Sequence, residues 1–110
     1  MLKVEFKKLG NPEECLYLTD RSLNEKLKLN EVLLKVLFFP INPADLLLVE
    51  GRYATKPPYL PSSIGAECVA KVIKTGKNVK RVKINDIVIP LTRNNWVEKL
   101  KIDEDNLIKI

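Results

Sequence analysis

The sequence predicts a mainly β protein, a small β-barrel with one short helix near residues 43–50. Three observations support this fold class. Several short segments have a β-rich composition, turn residues separate these segments, and only one segment carries both a helix start and a helix stop. The 110 residues suit one domain with a modest core.

The segments before the helix predict an antiparallel start to the sheet. Residues 3–6 alternate apolar and polar side chains, which is typical of a strand. Residues 10–12 have the turn sequence Gly-Asn-Pro, and residues 15–19 fit the returning strand of a hairpin. Residues 20–30 are polar with spaced leucines. We expect a loop or irregular edge there, and one helical turn is the alternative.

Residues 31–39, EVLLKVLFF, are nearly continuous in apolar and β-rich residues. A strand of this composition is typical of the middle of a sheet that is covered on both faces. Pro40 lacks a backbone N–H and cannot donate to a ladder, so the strand is predicted to end there.

The helix has a start, a stop and an apolar middle. Asn42 is a favoured N-cap, Pro43 suits the first helical position, and Asp45 in the first turn complements the helix dipole. Gly51 can take the left-handed conformation that ends a helix. Residues 46–49, Leu-Leu-Leu-Val, are apolar on every side. Such a helix must be covered all round, and we expect another domain or chain to supply part of the cover.

The second half predicts a loop and four further strands. Three prolines within residues 52–63 exclude a sheet interior and indicate an ordered surface loop. The predicted strands cover residues 67–74, 86–90, 96–102 and 107–110.

Composition excludes several classes of protein. The absence of histidine excludes Ser-His-Asp and Cys-His nucleophiles and leaves only cysteines and carboxylates as metal ligands. The two cysteines are predicted to be buried thiols rather than a disulfide scaffold. No apolar run is long enough to span a membrane.

The net charge of +5 suits acidic ligands such as phosphates. The densest basic run lacks the stacking aromatics of nucleic-acid binding and is predicted to be a solvated hairpin face: Lys74, Lys77, Lys80, Arg81 and Lys83.

The segment 41–53, INPADLLLVEGRY, is followed by the proline-rich loop and by Gly65, Ala66 and Glu67. In this arrangement the chain resembles the catalytic domain of the medium-chain dehydrogenase/reductase superfamily. The resemblance covers almost all the chain, so residues 1–110 are expected to form one such domain. It implies the GroES-like fold, a partly open β-barrel.

Two substitutions indicate the zinc-independent branch of that superfamily. The zinc enzymes carry a cysteine where this chain has Asn42 and a histidine where it has Ala66, so no zinc is expected. INPAD, GRY and KPP look most like the 2-enoyl-thioester reductases, which act on enoyl-CoA or enoyl-ACP. The quinone oxidoreductases are the alternative, although Leu47 stands where many of them have tyrosine.

The resemblance implies NADPH as cofactor, but not a place for it. The superfamily enzymes hold the dinucleotide in a Rossmann domain at a glycine-rich turn before a helix. Here the four glycines are scattered, so the Rossmann nucleotide-binding domain is predicted to be absent from this chain. We expect a nucleotide-binding domain or partner chain to be required for activity, and we expect the chain alone to be inactive.

Three residues carry the chemistry that the resemblance implies. Tyr53 matches the proposed proton donor of the enoyl reductases; phenols ordinarily have a pKa of about 10 and are protonated at neutral pH. Its alternative is a loop aromatic packed over the helix end. Asn42 matches a position near the nicotinamide and the substrate, and its alternative is the N-cap. Trp96 matches a segment near the active site, with core packing as the alternative. Arg52 and Lys56 could meet carrier phosphates or remain solvated.

The sequence leaves three functions open. The first is the catalytic domain of a zinc-independent, NADPH-dependent 2-enoyl-thioester reductase with an acyl thioester as substrate. The second is a quinone oxidoreductase domain, and the third is a stand-alone, non-enzymatic interaction module. We expect a nucleotide-binding partner or a homo-oligomer, and neither nucleic-acid nor membrane binding. The first ten residues lack a secretory signal, which favours the cytoplasm, with the mitochondrial matrix as the eukaryotic alternative.

Overall fold

The computed structural model describes residues 1–110 and contains eight strands and two α-helices. The strands are β1 (Leu2–Phe6), β2 (Leu16–Asp20), β3 (Glu31–Phe38), β4 (Ser62–Ser63), β5 (Val69–Thr75), β6 (Ile87–Pro90), β7 (Lys99–Asp103) and β8 (Leu107–Lys109). The helices are α1 (Pro12–Cys15) and α2 (Pro43–Glu50), and one 3-10 turn spans Glu104–Asn106.

The strands form two antiparallel sheets. One has the order β2-β1-β4 and the other the order β7-β3-β5-β6-β8. The predicted mainly β fold is confirmed, but the two sheets do not close into a continuous barrel. Residues 96–98 connect them: the Val4 N–H donates to the Trp96 carbonyl, and the Glu98 N–H donates to the Leu2 carbonyl. The two sheets are therefore linked into one open β structure, as expected of a partly open GroES-like fold.

Most strand predictions are confirmed to within about two residues, which is the usual uncertainty of an element's ends. The predicted strand 96–102 is the exception at its start, because β7 begins only at Lys99. The Trp96 N–H instead donates to the Ile64 carbonyl at 3.0 Å. Residues 96–98 thus bond mainly to β1 and to the segment before Gly65, while the Glu98 carbonyl keeps one bond to β3, from the Val36 N–H at 2.9 Å.

The central strand β3 is covered along only part of its length. Val32, Leu33 and Leu34 are buried, whereas Leu37 and Phe38 are exposed. The prediction of a strand covered on both faces is therefore wrong for its second half. The register explains the difference, because β7 pairs only with residues 31–35 of β3. Beyond Val36, whose N–H donates to the Glu98 carbonyl at 2.9 Å, the strand keeps β5 as its partner but has no strand paired along the other edge.

Helix α2 has the predicted bounds and the predicted stop. Gly51 lies in the left-handed region with φ of 75°, and its N–H donates to the Leu48 carbonyl at 3.1 Å. Val49 is buried in the core while Leu46 is exposed, so the helix is not covered all round within this chain. That another domain or chain supplies the remaining cover stays a prediction.

Helix α1 was not predicted. The Asn11 side chain accepts a hydrogen bond from the Glu13 N–H at 3.0 Å, and Pro12 occupies the first helical position. This is the same Asn-Pro signal that marks α2, here followed by only one helical turn. Neither α-helix, nor the 3-10 turn, has the length and apolar character needed to cross a membrane.

Two apolar clusters make up the core. The larger lies on the five-stranded sheet and includes Val32, Val72 and Val88. The smaller joins β1, both helices and the segment after β6 through Phe6, Cys15, Val49, Ile64 and Trp96. This second cluster positions the C-terminal half of α2 against the rest of the chain. Cys15 and Cys68 are free and buried, as predicted.

Candidate active site

A cleft lies between helix α2, the proline-rich loop that follows it and two other loops. Its volume is about 130 Å³, whereas a pocket for a drug-sized ligand usually has roughly 300 Å³ or more. The cleft is therefore large enough for the reacting end of a substrate but not for a whole coenzyme thioester. Its lining residues are Ala44, Asp45, Leu48, Tyr53, Thr55, Lys56, Pro57, Pro58, Ser62, Ser63, Gly65, Ala66, Arg93 and Asn94.

Tyr53 reaches the cleft because the helix ends three residues before it, at Glu50. Gly51 reverses the chain in the left-handed conformation, and the Arg52 N–H donates to the Leu47 carbonyl at 2.9 Å. The phenol is half-buried. Its hydroxyl oxygen accepts a hydrogen bond from Arg93 Nη2 at 3.2 Å, and Arg93 Cζ lies 5.6 Å from the ring centroid.

Arg93 was not predicted as a site residue. Its only side-chain hydrogen bond is the one to Tyr53, and it takes part in no ion pair. The two residues are 40 positions apart, so no local sequence pattern could have paired them. The fold brings them together at the cleft.

The two cations that flank Tyr53 in sequence have other contacts. Arg52 lies 3.7 Å from the Glu50 carboxylate in an exposed pair, and such pairs contribute little to stability. Lys56 lines the cleft and its ammonium donates to the Gly51 carbonyl. Of the two, only Lys56 lies at the cleft.

Asn42 occupies the N-cap of α2, as predicted. Its side-chain nitrogen donates to Glu67 Oε1 at 3.1 Å, so its amide protons are not all free. Asn42 is not among the residues that line the cleft. It lies beside the cleft, where its bond to Glu67 joins the helix start to the end of the Gly65-Ala66-Glu67 turn.

The sequence predicted only that Asp45 complements the helix dipole, but in the structure its carboxylate also accepts two hydrogen bonds. Its carboxylate is buried. Oδ2 accepts from the Asn42 N–H at 3.0 Å and Oδ1 accepts from the Ala66 N–H at 2.8 Å. The Asn-x-x-Asp spacing is the signal that could have revealed this role, because a capping box places an acceptor three residues after the N-cap. Asp45 thereby holds two walls of the cleft together.

Trp96 does not line the cleft. It is buried in the smaller core cluster and stacks on Phe39 with ring centroids 5.2 Å apart. Gly65 separates it from the cleft: a Cβ at Gly65 would come within 2.5 Å of Trp96 Cδ1, which no real structure tolerates. The indole Nε1 is buried and has no hydrogen-bond partner. Trp96 therefore lies against Gly65, on the side away from the cleft, and does not line the cleft itself.

Asn95 connects these parts. It is fully buried, and its side-chain nitrogen donates to the Gly65 carbonyl at 3.2 Å and to the Thr92 carbonyl at 2.6 Å. Its oxygen accepts from the Cys68 thiol at 3.5 Å. Burial raises the pKa of that thiol to about 11, so Cys68 is not a reactive thiolate at neutral pH. Asn95 fixes the loop that presents Arg93.

A second concave surface shares no lining residue with the cleft. We call it the apolar groove; it is lined mainly by Leu2, Val4, Leu18, Val36, Leu37, Phe38, Phe39, Trp96 and Val97. Leu18 and Phe38 are 65% and 61% exposed. Exposed apolar surface of this kind is typical of an interaction site.

Neither helix start of this chain fits a dinucleotide pyrophosphate. Such a group is usually held by free backbone N–H groups at a helix N-terminus. At α2, Pro43 has no N–H, and the Asp45 carboxylate already caps the helix start. Helix α1 is only one turn long. No group of three or more Cys, Asp and Glu side chains is arranged to hold a metal ion.

A family model matches residues 28–108 and describes the alcohol dehydrogenase GroES-like domain. The match covers α2 and all of the five-stranded sheet except Lys109, the last residue of β8. The chain belongs to this family. Its relatives place the GroES-like domain in the branch of the medium-chain dehydrogenase/reductase superfamily that holds the enoyl reductases and quinone oxidoreductases.

Two curated relatives are mitochondrial enoyl-[acyl-carrier-protein] reductases. The protein from Caenorhabditis elegans is 41% identical over 80 residues, which are 73% of this chain and 23% of the relative. The protein from Xenopus tropicalis is 33% identical over 107 residues, or 96% of this chain and 30% of the relative. This GroES-like domain thus spans less than a third of their length.

Three solved structures have the same fold. The Etr1p/Etr2p heterodimer of mitochondrial 2-enoyl thioester reductase from Candida tropicalis is 31% identical with a TM-score of 0.89. The complex of Etr1p with NADP and crotonyl-CoA is 30% identical with a TM-score of 0.88. A putative NADPH:quinone reductase from Bacillus thuringiensis is 37% identical with a TM-score of 0.85. Each match covers 99% of this chain and 33% of the other.

Proposed function

We propose that residues 1–110 form the substrate-binding and proton-donating domain of a zinc-independent, NADPH-dependent 2-enoyl-thioester reductase. The observation that carries the proposal is the position of the Tyr53 hydroxyl in a cleft at the end of α2. The enoyl reductases among the relatives support the substrate class. In the proposed reaction the substrate is an enoyl-CoA or enoyl-ACP.

Tyr53 acts as general acid. Its O–H bond breaks and the proton forms a C–H bond with the α-carbon of the thioester enolate, leaving a phenolate on the enzyme. The phenolate later takes a proton from solvent. The half-buried position of Tyr53 supports this role, because the hydroxyl can meet a substrate while its ring is held against the loop.

The cleft offers different surfaces to the two parts of a thioester. Leu48, Pro57 and Pro58 provide apolar contact for the first carbons of the acyl chain. Lys56 stands at the same cleft and can pair with a phosphate of the carrier. We assign Asn42 and Trp96 supporting roles: Asn42 orients the helix start through Glu67, and Trp96 supports Gly65 from behind.

The reduced dinucleotide, which supplies hydride to the β-carbon, is proposed to bind outside this chain. The start of α2 supports this assignment, since the Asp45 carboxylate lies there and disfavours a pyrophosphate at that helix end. A nucleotide-binding domain or partner chain would hold it, and no zinc takes part. Both curated relatives are mitochondrial enzymes, which supports a mitochondrial location over the cytoplasm.

A quinone oxidoreductase domain is the second candidate. It is favoured by the 37% identity with the putative quinone reductase from Bacillus thuringiensis, which exceeds the identity with Etr1p. The two candidates differ in the proton acceptor. Reduction of an enoyl thioester requires a proton on carbon, whereas reduction of a quinone requires protons on oxygen, which solvent can supply.

The test uses the protein purified from its natural source through a tag encoded at its own gene, so that any further domain or partner is retained. NADPH-dependent reduction of crotonyl-CoA is compared with that of a benzoquinone. Tyr53→Phe is expected to lower kcat for the thioester by roughly 10²-fold, the scale of a lost general acid. The control is Tyr59→Phe, because Tyr59 lies in the same loop but is exposed and does not line the cleft. An unchanged rate in Tyr53→Phe would exclude the role of Tyr53.

A further inference from the structure

Arg93 is the cation at the Tyr53 hydroxyl. Nη2 donates to the phenol oxygen at 3.2 Å, and the guanidinium carbon lies 5.6 Å from the centre of the ring. The guanidinium has no carboxylate partner anywhere in the chain. Lys56, the other cation of the cleft, is held at the Gly51 carbonyl instead.

The loop that carries Arg93 is held in place by hydrogen bonds from Asn95. The buried Asn95 side chain bonds to the Thr92 carbonyl and the Gly65 carbonyl. The Asn95 N–H also donates to the Gly65 carbonyl at 3.2 Å. Arg93 therefore extends from a loop whose backbone is fixed to the cleft wall, which favours a defined position of its guanidinium over a freely moving surface charge.

We propose that Arg93 is a positioning residue for Tyr53, which orients its hydroxyl and stabilises the phenolate that remains after proton transfer. This inference rests on the proposed function. When the O–H bond breaks, its electron pair stays on the phenol oxygen, and the proton forms the C–H bond at the α-carbon. A hydrogen bond from a guanidinium strengthens as its acceptor becomes charged. The interaction is thus stronger in the transition state than before it, which is the condition for raising kcat.

Two properties of arginine suit this task. Its guanidinium remains charged at all working pH values and presents several donors in a fixed plane. One donor bonds the phenol oxygen, and the planar group holds that donor in a fixed direction as negative charge develops on the oxygen. A lysine in the same place would keep the charge but lose the fixed plane, so Arg93→Lys should retain only part of the effect.

The experiment measures NADPH-dependent crotonyl-CoA reduction by the protein from its natural source in four forms. These are wild type, Arg93→Gln, Tyr53→Phe and the double variant. Arg93→Gln is expected to lower kcat roughly tenfold, the scale of one charge-assisted hydrogen bond, with KM nearly unchanged. In the Tyr53→Phe background the same change should have no further effect, because the phenol oxygen is already missing.

Two further measurements separate positioning from structure. Guanidinium chloride at millimolar concentration should restore part of kcat to Arg93→Ala and none to Tyr53→Phe. The thermal midpoints of the single Arg93 variants should match that of the wild type, since Arg93 is exposed. Lys77→Gln, which removes an exposed charge away from the cleft, serves as the charge-matched control and should leave kcat unchanged.

The outcomes distinguish the two proposals. If Tyr53→Phe slows the reaction and Arg93→Gln does not, the role of Arg93 is overturned and the proposed function stands. If Arg93→Gln lowers kcat equally with and without the Tyr53 hydroxyl, Arg93 does not act through Tyr53 and the inference fails. If Tyr53→Phe has no effect, the proposed function fails first.

Discussion

Asp45 and Ala66 are joined across the cleft: Asp45 Oδ1 accepts a hydrogen bond from the Ala66 N–H at 2.8 Å. The other oxygen of the same carboxylate accepts from the Asn42 N–H. One buried side chain therefore caps helix α2 and fixes the turn that follows β4. Because the cleft lies between this helix and this turn, its shape depends on Asp45.

We predict that Asp45→Ala destabilises the chain. The substitution leaves two backbone N–H groups without their acceptor, and an unpaired buried donor costs about 1–3 kcal/mol. A loss of about 2–3 kcal/mol in the free energy of unfolding is expected, measured by urea denaturation. The control is Asp105→Ala, whose exposed carboxylate makes one ion pair of 3.6 Å and should cost under about 0.5 kcal/mol. Equal effects in the two variants would contradict the role of Asp45.

We predict that the isolated 110-residue chain does not bind NADPH measurably. The helix start that could hold a pyrophosphate is capped by Asp45 and begins with a proline. Isothermal titration calorimetry with NADPH should give no saturable heat. Micromolar affinity would show that the dinucleotide has a site on this domain after all.

We predict that the isolated chain self-associates through the apolar groove unless a partner covers it. The groove exposes large apolar side chains at Phe38 and Leu18. Sedimentation velocity should show weight-average mass rising with concentration, and Phe38→Ser should reduce the rise. Leu29→Ser is the matched control, because Leu29 is 56% exposed but lies outside the groove. A monomer at the highest concentration would refute this prediction.

We predict that stability falls below a pH of about 4.5, partly through Glu104. The N–H groups of Arg81 and Lys80 donate to its carboxylate at 2.8 and 2.9 Å and lower its pKa from the ordinary value of 4.5. A carboxylate with a lowered folded-state pKa stabilises the fold above its unfolded pKa, and this stabilisation is lost as the pH falls through the folded value.

The measurement is urea unfolding between pH 7 and pH 3. Glu104→Gln should be less stable than wild type at pH 7, and the difference should shrink as the pH falls. Glu14→Gln is the control, since Glu14 is exposed and its carboxylate makes no hydrogen bond within the chain. A difference that stays constant with pH would show that the carboxylate charge of Glu104 is not what stabilises the fold.

The helix and its surroundings could be predicted because their signals are local. Asn42, Pro43 and Gly51 act within one or two turns of backbone, and the observed helix has the predicted bounds. The same Asn-Pro signal at residues 11 and 12 was interpreted as a turn, because nothing local distinguishes a turn from one turn of helix. Strand positions followed from alternation, which also acts along the chain.

The sequence by itself determined the β-rich class, the helix and the position of Tyr53 after Gly51, since all three depend on neighbours in the chain. The tertiary structure decided that Arg93 donates to Tyr53, that Asp45 joins Ala66 and that Trp96 lies behind Gly65. It also left the second half of β3 uncovered. The physical reason is that the packing of the sheets decides which residues form hydrogen bonds and which side chains are buried. Packing joins residues that are distant in sequence.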